Sequence, residues 1–474
     1  MIAAGVIRAP TLASVIAGRL EDEIIARRWP IGEVLGSEAD LLGHFGVSRA
    51  AFREAVRIVE HTGVAKMKRG PGGGLVVTQP DRTSVVAALG AWFAFVGVTA
   101  EEMLEARVLL LGGACELAAA HRDRKARSSQ ALEYLAGLRP TLDPAGLISV
   151  ESAVADLAGN PALTLFVEAI ADLSMSRLRS AGGRVAARPP ASESLGSTEA
   201  YRQVIVAVAD GDGGTAIQRV QALGETLRIG LAQSPSPSRK GKAPSESFGG
   251  SAGGKMAAAV AQTLRDHIER AGWPVGEVIG SETELIEQLG VSRAILREAV
   301  RILEHYGVVE TKRGPGGGIL VCAPDATAIG RTARFYLEYE GVTPTNLSET
   351  RRVIEVASAR LAAERGGPEL AEHLDRALQS EGETGDAAVS FGRLHHLIAE
   401  GTGNRLIPLF VDVMGELVPS HLKAKWRSAR GQATLSAEVH RTHQRLVRAI
   451  IDGHSDEAAK RMKRHMTASA HEFS

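Results

Sequence analysis

Gly290-Val291-Ser292-Arg293-Ala294-Ile295-Leu296-Arg297-Glu298-Ala299-Val300-Arg301 is the stretch that decides the reading of the chain. A glycine has no Cβ and can take the left-handed turn at which one helix stops. Ser292, two residues on, can cap the next helix. Along that helix Ile295, Ala299, Ile302 and Leu303 form an apolar stripe, while Arg293, Arg297 and Arg301 recur every fourth residue on a polar side. Just upstream, Ser281-Glu282-Thr283-Glu284 is a capping box opening a shorter helix, with Leu285, Ile286 and Leu289 on one face. Two helices meeting at a tight corner, the second cationic at its start, suit insertion into a DNA major groove. There arginine meets guanine edges and phosphates.

The same pattern stands 244 residues earlier, Ser48 against Ser292. Ser37-Glu38-Ala39-Asp40 is the first capping box, Leu41, Leu42 and Phe45 the apolar face, Gly46 the turn, and Arg49, Arg53 and Arg57 the arginine row. The offset persists into Gly70-Pro71-Gly72-Gly73-Gly74 and Gly314-Pro315-Gly316-Gly317-Gly318. So long a period is no solenoid repeat; it marks two copies of a whole domain pair. Val64 to Gly70 and Leu75 to Val77 predict two short strands joined by a basic loop, a β-wing. Its cations, Lys66, Lys68 and Arg69 in the first copy and Lys312 and Arg313 in the second, are placed for phosphate or minor-groove contact. The glycine run lacks a following Lys-Ser/Thr pair and opens no helix, which argues against a nucleotide-phosphate loop.

Working outward, residues 12 to 28 predict a helix with Leu12, Ile16, Leu20, Ile24 and Ile25 inward. Residues 84–231 and 326–474 predict helices separated by breakers such as Asp210-Gly211-Asp212-Gly213-Gly214. Residues 232–256 are rich in Ser, Pro, Gly and Lys and predict a flexible tether. The expected domains are therefore 8–80, 84–231, 257–323 and 326–474 around that tether: a mainly α chain with small β-wings, two winged helix-turn-helix heads each followed by an all-α bundle. A formal net charge of zero argues against polycation behaviour, and 4% aromatic residues are too few for single-strand stacking platforms. Two cysteines, Cys115 and Cys322, form no disulfide framework. With no signal or membrane run in view, a reducing cytoplasm is expected.

The later bundle adds His395, His443 and His465. Helices folded back at Asp452-Gly453 would bring His443 and His465 together, and three imidazoles on facing helices make an open nitrogen site for a metal. Buried histidines filling hydrogen-bonding slots are the alternative, and His396 and His440 are exposed alternatives as ligands.

Gly-Val-Ser-Arg-x-x-x-Arg-Glu-Ala-Val followed by a Gly-x-Gly-Gly wing, in both copies, resembles the GntR family. The bundles resemble the FadR-type ligand-binding domain, FCD, through Thr402-Gly403-Asn404 and an Arg352…Glu355 pair. The resemblance spans nearly all of the chain except the tether, and the fusion of two whole regulators is unusual. It implies a ligand-controlled transcription factor, a repressor first and an activator second, on a near-palindromic operator of double-stranded DNA. Arg49, Arg53, Arg293, Arg297 and the wings would make the contacts. Relatives carry an arginine right after the Ser-Glu of the capping box; Ala39 and Thr283 stand there, so each head lacks one expected contact. The resemblance also implies a divalent metal (Zn, Ni or Mn) held by an aspartate and three histidines. His395, His443 and His465 match, and Phe391 stands at the aspartate position. A small carboxylate effector would bind near these histidines and Arg352. In the first copy Leu147, Glu151, Tyr201 and Leu223 occupy those positions, with Arg107 aligned to Arg352 and Leu110 to Glu355. That bundle reads as degenerate, a structural partner or a binder of something else through Arg107. The chain would act as an internal pseudo-dimer or as a homodimer of such chains. The rival classes are an effector-independent architectural DNA-binding protein and a metal-dependent hydrolase, for which no well-placed carboxylate base is evident.

Overall fold

The computed structural model describes residues 12–68, 70, 72–80, 82–181, 197–233, 253–312, 314, 316–324, 326–384, 387–417 and 429–473. Arg69 and Arg313 of the expected wings, and residues 234–252 of the expected tether, lie outside these residues.

Each half runs through the same elements. The first head is α1 (Leu12–Ala26), α2 (Glu38–Phe45), α3 (Arg49–His61), β1 (Ala65–Lys68) and β2 (Gly74–Val77). Then come α4 (Arg82–Phe95), α5 (Ala100–Ala120), α6 (Arg124–Ala136), α7 (Pro144–Asp156), α8 (Pro161–Ala181), α9 (Thr198–Asp210) and α10 (Gly213–Gln233). The second head is α11 (Gly253–Arg270), α12 (Glu282–Leu289), α13 (Arg293–His305), β3 (Val309–Lys312) and β4 (Gly318–Val321). It leads to α14 (Ala326–Tyr339), α15 (Pro344–Arg365), α16 (Pro368–Thr384), α17 (Ala387–Glu400), α18 (Leu406–Glu416), α19 (Ala429–Ile451) and α20 (Ser455–Phe473). Helix α11 begins at Gly253, inside the stretch expected as tether.

The heads form as their local signals dictate. Ser37 and Ser281 make complete capping boxes with Asp40 and Glu284. Gly46 and Gly290 close those helices at φ 63°, where a side chain would be strained. Ser48 and Ser292 accept from the backbone NH of Ala51 and Ile295. The core stripe of α13 is Leu296, Ala299, Val300 and Leu303; Ile295 and Ile302 pack half-buried at its edge rather than at its centre. Leu12, expected inward, is exposed because α1 begins there, and Ala13, Ile16, Ala17, Leu20 and Ile24 carry its buried face. The wings pair antiparallel, Lys66 opposite Val76 and Glu310 opposite Leu320. Gly74 and Gly318 let each wing lie against the segment before α2 or α12: a Cβ there would come within 2.4 Å of Gly36 O or 2.5 Å of Gly280 O.

The chain divides into two compact units, and the division is not at the midpoint. One contains residues 1–85 with 327–341; the other contains 86–326 with 342–474. Helix α14 therefore belongs with the first head, where Phe335 enters its core and Trp29 meets Phe335 and Tyr339 edge-on at 6.3 and 5.8 Å. In the other unit α4 packs on the second head. Ala91 and Ala94 join its core, and Phe95 meets Trp273 at 5.7 Å. The expected boundaries assigned α4 and α14 to the bundles that follow them; the structure packs each on the head of the other copy.

Within the larger unit the two bundles meet along α5 and α15. Gly113 of α5 allows the close approach, since a Cβ there would overlap the Val353 side chain. Asn160, before α8, donates to Asn346 O at 2.9 Å and accepts from Thr350 Oγ1 at 3.0 Å. Asn404, its counterpart before α18, donates to Glu102 O and Glu105 at 2.9 Å. Phe410 packs against Phe166 at 4.5 Å and meets Phe93 edge-on at 5.9 Å. Cys115 is buried and Cys322 half-buried, and both are free thiols. Among the described residues no helix is long and apolar enough to cross a membrane.

Candidate functional site

The outward faces of α3 and α13 carry the arginine rows. Arg49, Arg53 and Arg57 are 68%, 63% and 76% exposed, and Arg293, Arg297 and Arg301 are 64%, 64% and 75% exposed, so a partner can reach all six. The sequence reading missed what holds them. Glu38 accepts from Arg49 Nε at 3.0 Å and from Arg53 Nε at 3.2 Å. Glu282 does the same for Arg297 at 2.7 Å, with Arg293 at 3.6 Å. Partial desolvation works against the ionised Glu38, but the hydrogen bonds and charges of Arg53 and Arg49 outweigh it and hold its carboxyl below the usual range. The capping box is the only signal that could have found these clamps: it puts a glutamate at the first position of α2 and α12, facing the next helix. Exposed pairs of this kind are weak, so they orient the guanidinium groups without competing strongly with phosphate. Lys66, Lys68 and Lys312 are exposed on the wing strands.

The second bundle brings His395 of α17, His443 of α19 and His465 of α20 together. Their rings lie 4.8 to 5.5 Å apart, and one ligand atom from each falls within 4.8 Å of the others. All three are buried. Gly453, at φ 73°, supplies the bend between α19 and α20. His443 Nδ1 meets Glu381 Oε1 at 2.8 Å, and His395 Nδ1 meets Glu355. With Nδ1–H donated to these carboxylates, Nε2 is left as the lone-pair nitrogen on both rings. His443 Nε2 and His465 Nε2 are 3.3 Å apart. Burial pushes His395 below its ordinary pKa; burial and then the neighbouring imidazoles push His465 down to about 2, so these two rings are uncharged. Burial opposes the charge on Glu355, but Arg351 and His395 overcome it and bring the carboxyl down to about 2.

One expectation is corrected. The arginine that serves this cluster is Arg351, whose Nε donates to Glu355 at 2.8 Å; Arg352 is half-buried. Residues 351 and 355 stack one turn apart on the buried face of α15, while 352 is rotated to its edge. Glu355 and Glu381 are carboxylates beside the histidines, but both are engaged on Nδ1 and held below their ordinary pKa, so neither is a free base. His440 shares Glu381 at 3.3 Å, and His396 is held at the surface by Asp412 at 2.7 Å. Of Phe391 only its place in α17 is described.

Known families match these parts separately. The family described as bacterial regulatory proteins, gntR family, matches residues 12–76 and again 256–321, and the FCD domain matches 346–468. The chain belongs to the GntR family. Among curated relatives, the transcriptional repressor NanR of Enterobacter sp. (strain 638) is 28% identical over 222 residues, 45% of this chain and 84% of that protein. The regulator LutR of Bacillus subtilis is 26% identical over 40% of this chain and 89% of its own length. The Uxu operon regulator of Haemophilus influenzae is 26% identical over 44% and 77%. A solved structure, Streptococcus agalactiae GntR, covers 45% of this chain and 99% of its own at 19% identity, with a TM-score of 0.36. These relatives are regulators, which sets the hydrolase reading aside: this GntR protein is a ligand-responsive transcriptional regulator, not an enzyme.

The first bundle differs from the FCD bundle at the matching place. Thr99 and Thr343 cap α5 and α15 in register, so Arg107 aligns with Arg351, and Leu111, not Leu110, stands where Glu355 does. Arg107 Nε donates to Glu151 at 2.8 Å and its Nη2 to Tyr201 Oη at 3.0 Å; Tyr201 Oη donates to Glu151 at 2.6 Å. All three are at most 3% exposed, and Leu223 is buried. Burial and then the Glu151 carboxylate hold the Tyr201 phenol well above its ordinary pKa. Arg107 is thus engaged inside the bundle through Nε and Nη2, while its buried Nη1 has no hydrogen-bond partner.

Proposed function

We propose that this chain is a self-contained repressor, in which two covalently linked heads read the two halves of a near-palindromic operator and the second bundle senses the signal. Each head would lay α3 or α13 in the major groove, with Arg49, Arg53, Arg293 and Arg297 toward bases and phosphates and Arg57, Arg301 and the wing lysines on the backbone. Linkage raises the effective concentration of the second head once the first is bound. The observation that carries this reading is the pair of helix-turn-helix heads with outward arginine rows on one chain. The reciprocal use of Asn160 and Asn404 supports the bundles as partners of each other, so that one chain does the work of a dimer.

His395, His443 and His465 fit a divalent ion such as Zn, Ni or Mn. The donors are imidazole nitrogens, two oriented by carboxylates, and the 3.3 Å between His443 Nε2 and His465 Nε2 suits two ligands on one ion at ~2.1 Å each. Bound there, the ion would supply a coordination position for a carboxylate effector. Glu355 and Glu381 hold the rings, and Arg351 balances Glu355 in the buried site. For the effector to release or fix the heads, its affinity must differ between the two arrangements.

The test is a gel shift with DNA from the chain's own promoter region. Arg53→Ala together with Arg297→Ala should abolish the specific complex, each lost base contact being worth ~1–3 kcal/mol. Unchanged specific binding in the double variant would sink the reading. A protein mass near 50.0 kDa per bound operator, after the DNA's own mass is subtracted, supports the single-chain form, and twice that protein mass supports a homodimer.

A further inference from the structure

Glu21 on α1 and Arg265 on α11 occupy the same position in the two heads, and both are buried, at 4% and 7% exposure. Their surroundings differ in a matching way. Glu21 accepts from Thr62 Oγ1 at 3.2 Å, and the charges of Arg331 and Arg334, on the helix packed against this head, favour its ionised form. Arg334 also pairs with Glu338 at 2.7 Å on its own helix. Arg265 donates to Gln262 at 2.7 Å and lies over Gly90 of α4, where an added Cβ would stand 3.7 Å from its Nη1. Positions 87 and 90 of α4 are the counterparts of 331 and 334 of α14, and they hold Ala87 and Gly90 instead of two arginines.

We propose that this exchange of buried charge specifies which helix docks on which head. The acidic head takes the basic helix α14, and the basic head takes α4, whose small residues leave room for Arg265. The uncrossed pairing would bury Arg265 against Arg331 and Arg334 and leave Glu21 among Ala87 and Gly90 without a cation. A buried pair adds little to stability over an apolar contact, but a buried like-charge encounter, or a buried charge with no partner, is strongly unfavourable. Trp29 on Tyr339 and Trp273 on Phe95 are equivalent contacts at 5.8 and 5.7 Å and do not discriminate, whereas Phe335, which also meets Trp29, stands where α4 has Ala91, so side-chain size works alongside the charges.

A consequence follows from the path of the chain. Helix α14 continues through residues 340–343 into α15, which carries Arg351 and Glu355. The helix docked on the first head is thus continuous in sequence with the helix that carries Arg351 and Glu355. That a ligand at the histidines acts through this connection rests on the function proposed above; the charge code does not, and its test needs neither metal nor DNA.

Hydrogen exchange on the full chain, free of DNA, decides it. Glu21→Arg should speed exchange on the order of tenfold or more in 12–26 and 327–339 and leave 256–270 and 86–95 unchanged. Adding Arg331→Glu and Arg334→Glu should restore protection in both segments. Unchanged protection in Glu21→Arg, or failure of the reversed pair to restore it, overturns the proposal. The rescue separates lost docking from a head that merely fails to fold.

Discussion

The two bundles solve the same packing problem with different chemistry. At one place in the first, Arg107, Glu151 and Tyr201 bond one another; at the same place in the second, Arg351, Glu355 and three histidines converge. The first cluster is nearly closed: a cation, an anion and a hydroxyl exchange hydrogen bonds, Arg107 Nη1 alone is left over, and no set of lone pairs is aimed at one point. The second is open in the chemical sense, because its carboxylates engage Nδ1 of two rings and leave nitrogens of three rings grouped together. A buried polar cluster can hold a bundle in one arrangement or await a ligand, and which it does depends on whether its donors and acceptors balance internally.

Breaking the closed cluster should give the largest effect. Glu151→Ala leaves the Arg107 guanidinium buried without its anion, at a cost of ~3–5 kcal/mol, read as a fall in the denaturation midpoint of the whole chain. Replacing Arg107 and Glu151 by methionine and Tyr201 by phenylalanine together should be close to neutral. A triple variant as damaged as Glu151→Ala would mean that the cluster does more than fill space.

The open cluster should respond to metal where the closed one does not. Zinc at about a hundred times its dissociation constant should stabilise the parent by ~2.7 kcal/mol, with a corresponding rise in Tm, and His443→Ala should abolish the rise. Elemental analysis should find one ion per chain, not two. An equal rise in the His443→Ala variant would move the binding elsewhere.

A third contrast separates the heads. Burial raises the Glu21 carboxyl to about 7 despite Arg331, Thr62 and Arg334, which lower it. A carboxyl whose folded pKa is raised from 4.5 contributes stability below that value and loses it as pH climbs through 7. The change is on the order of 3 kcal/mol between pH 4.5 and pH 8. Glu21→Gln should therefore match the parent near pH 4.5 and exceed it in stability at pH 8. Denaturation midpoints at the two pH values check this, and a variant weaker than the parent at pH 8 would contradict it.

The heads and most helix ends were legible because their signals are local: Ser37 and Ser281 box their helices, and Gly46 and Gly290 stop them, whatever lies beyond. The histidine trio was legible for the same reason, since the bend at Gly453 returns α20 along α19 over a short span. What escaped depends on rotation or on long-range docking. Arg351 and Arg352 are neighbours in sequence and differ only in which face of α15 they occupy. The crossed seats of α4 and α14 could not be read from one strand of text, because both helices are apolar enough to cover either head. The pairing of position 21 with 331 and 334, of 265 with 90, and the exchange of Phe335 for Ala91 distinguish them.

The smallest effect lies in the wings. Lys66 of β1 has Glu310 as its counterpart on β3, while Lys68 and Lys312 are the same, so the described part of the second wing is poorer by one cation and richer by one anion. Each phosphate contact contributes about one counterion to the salt dependence of binding and nothing to base choice. Lys66→Glu should lower the slope of log K against log salt by about one and weaken binding alike on every sequence. Glu310→Lys should raise the slope by a similar amount if the second wing tracks the backbone as the first does. A change in sequence preference in either variant would show that the wing strand reads bases, and the two heads would then differ in what they recognise as well as in how tightly they hold.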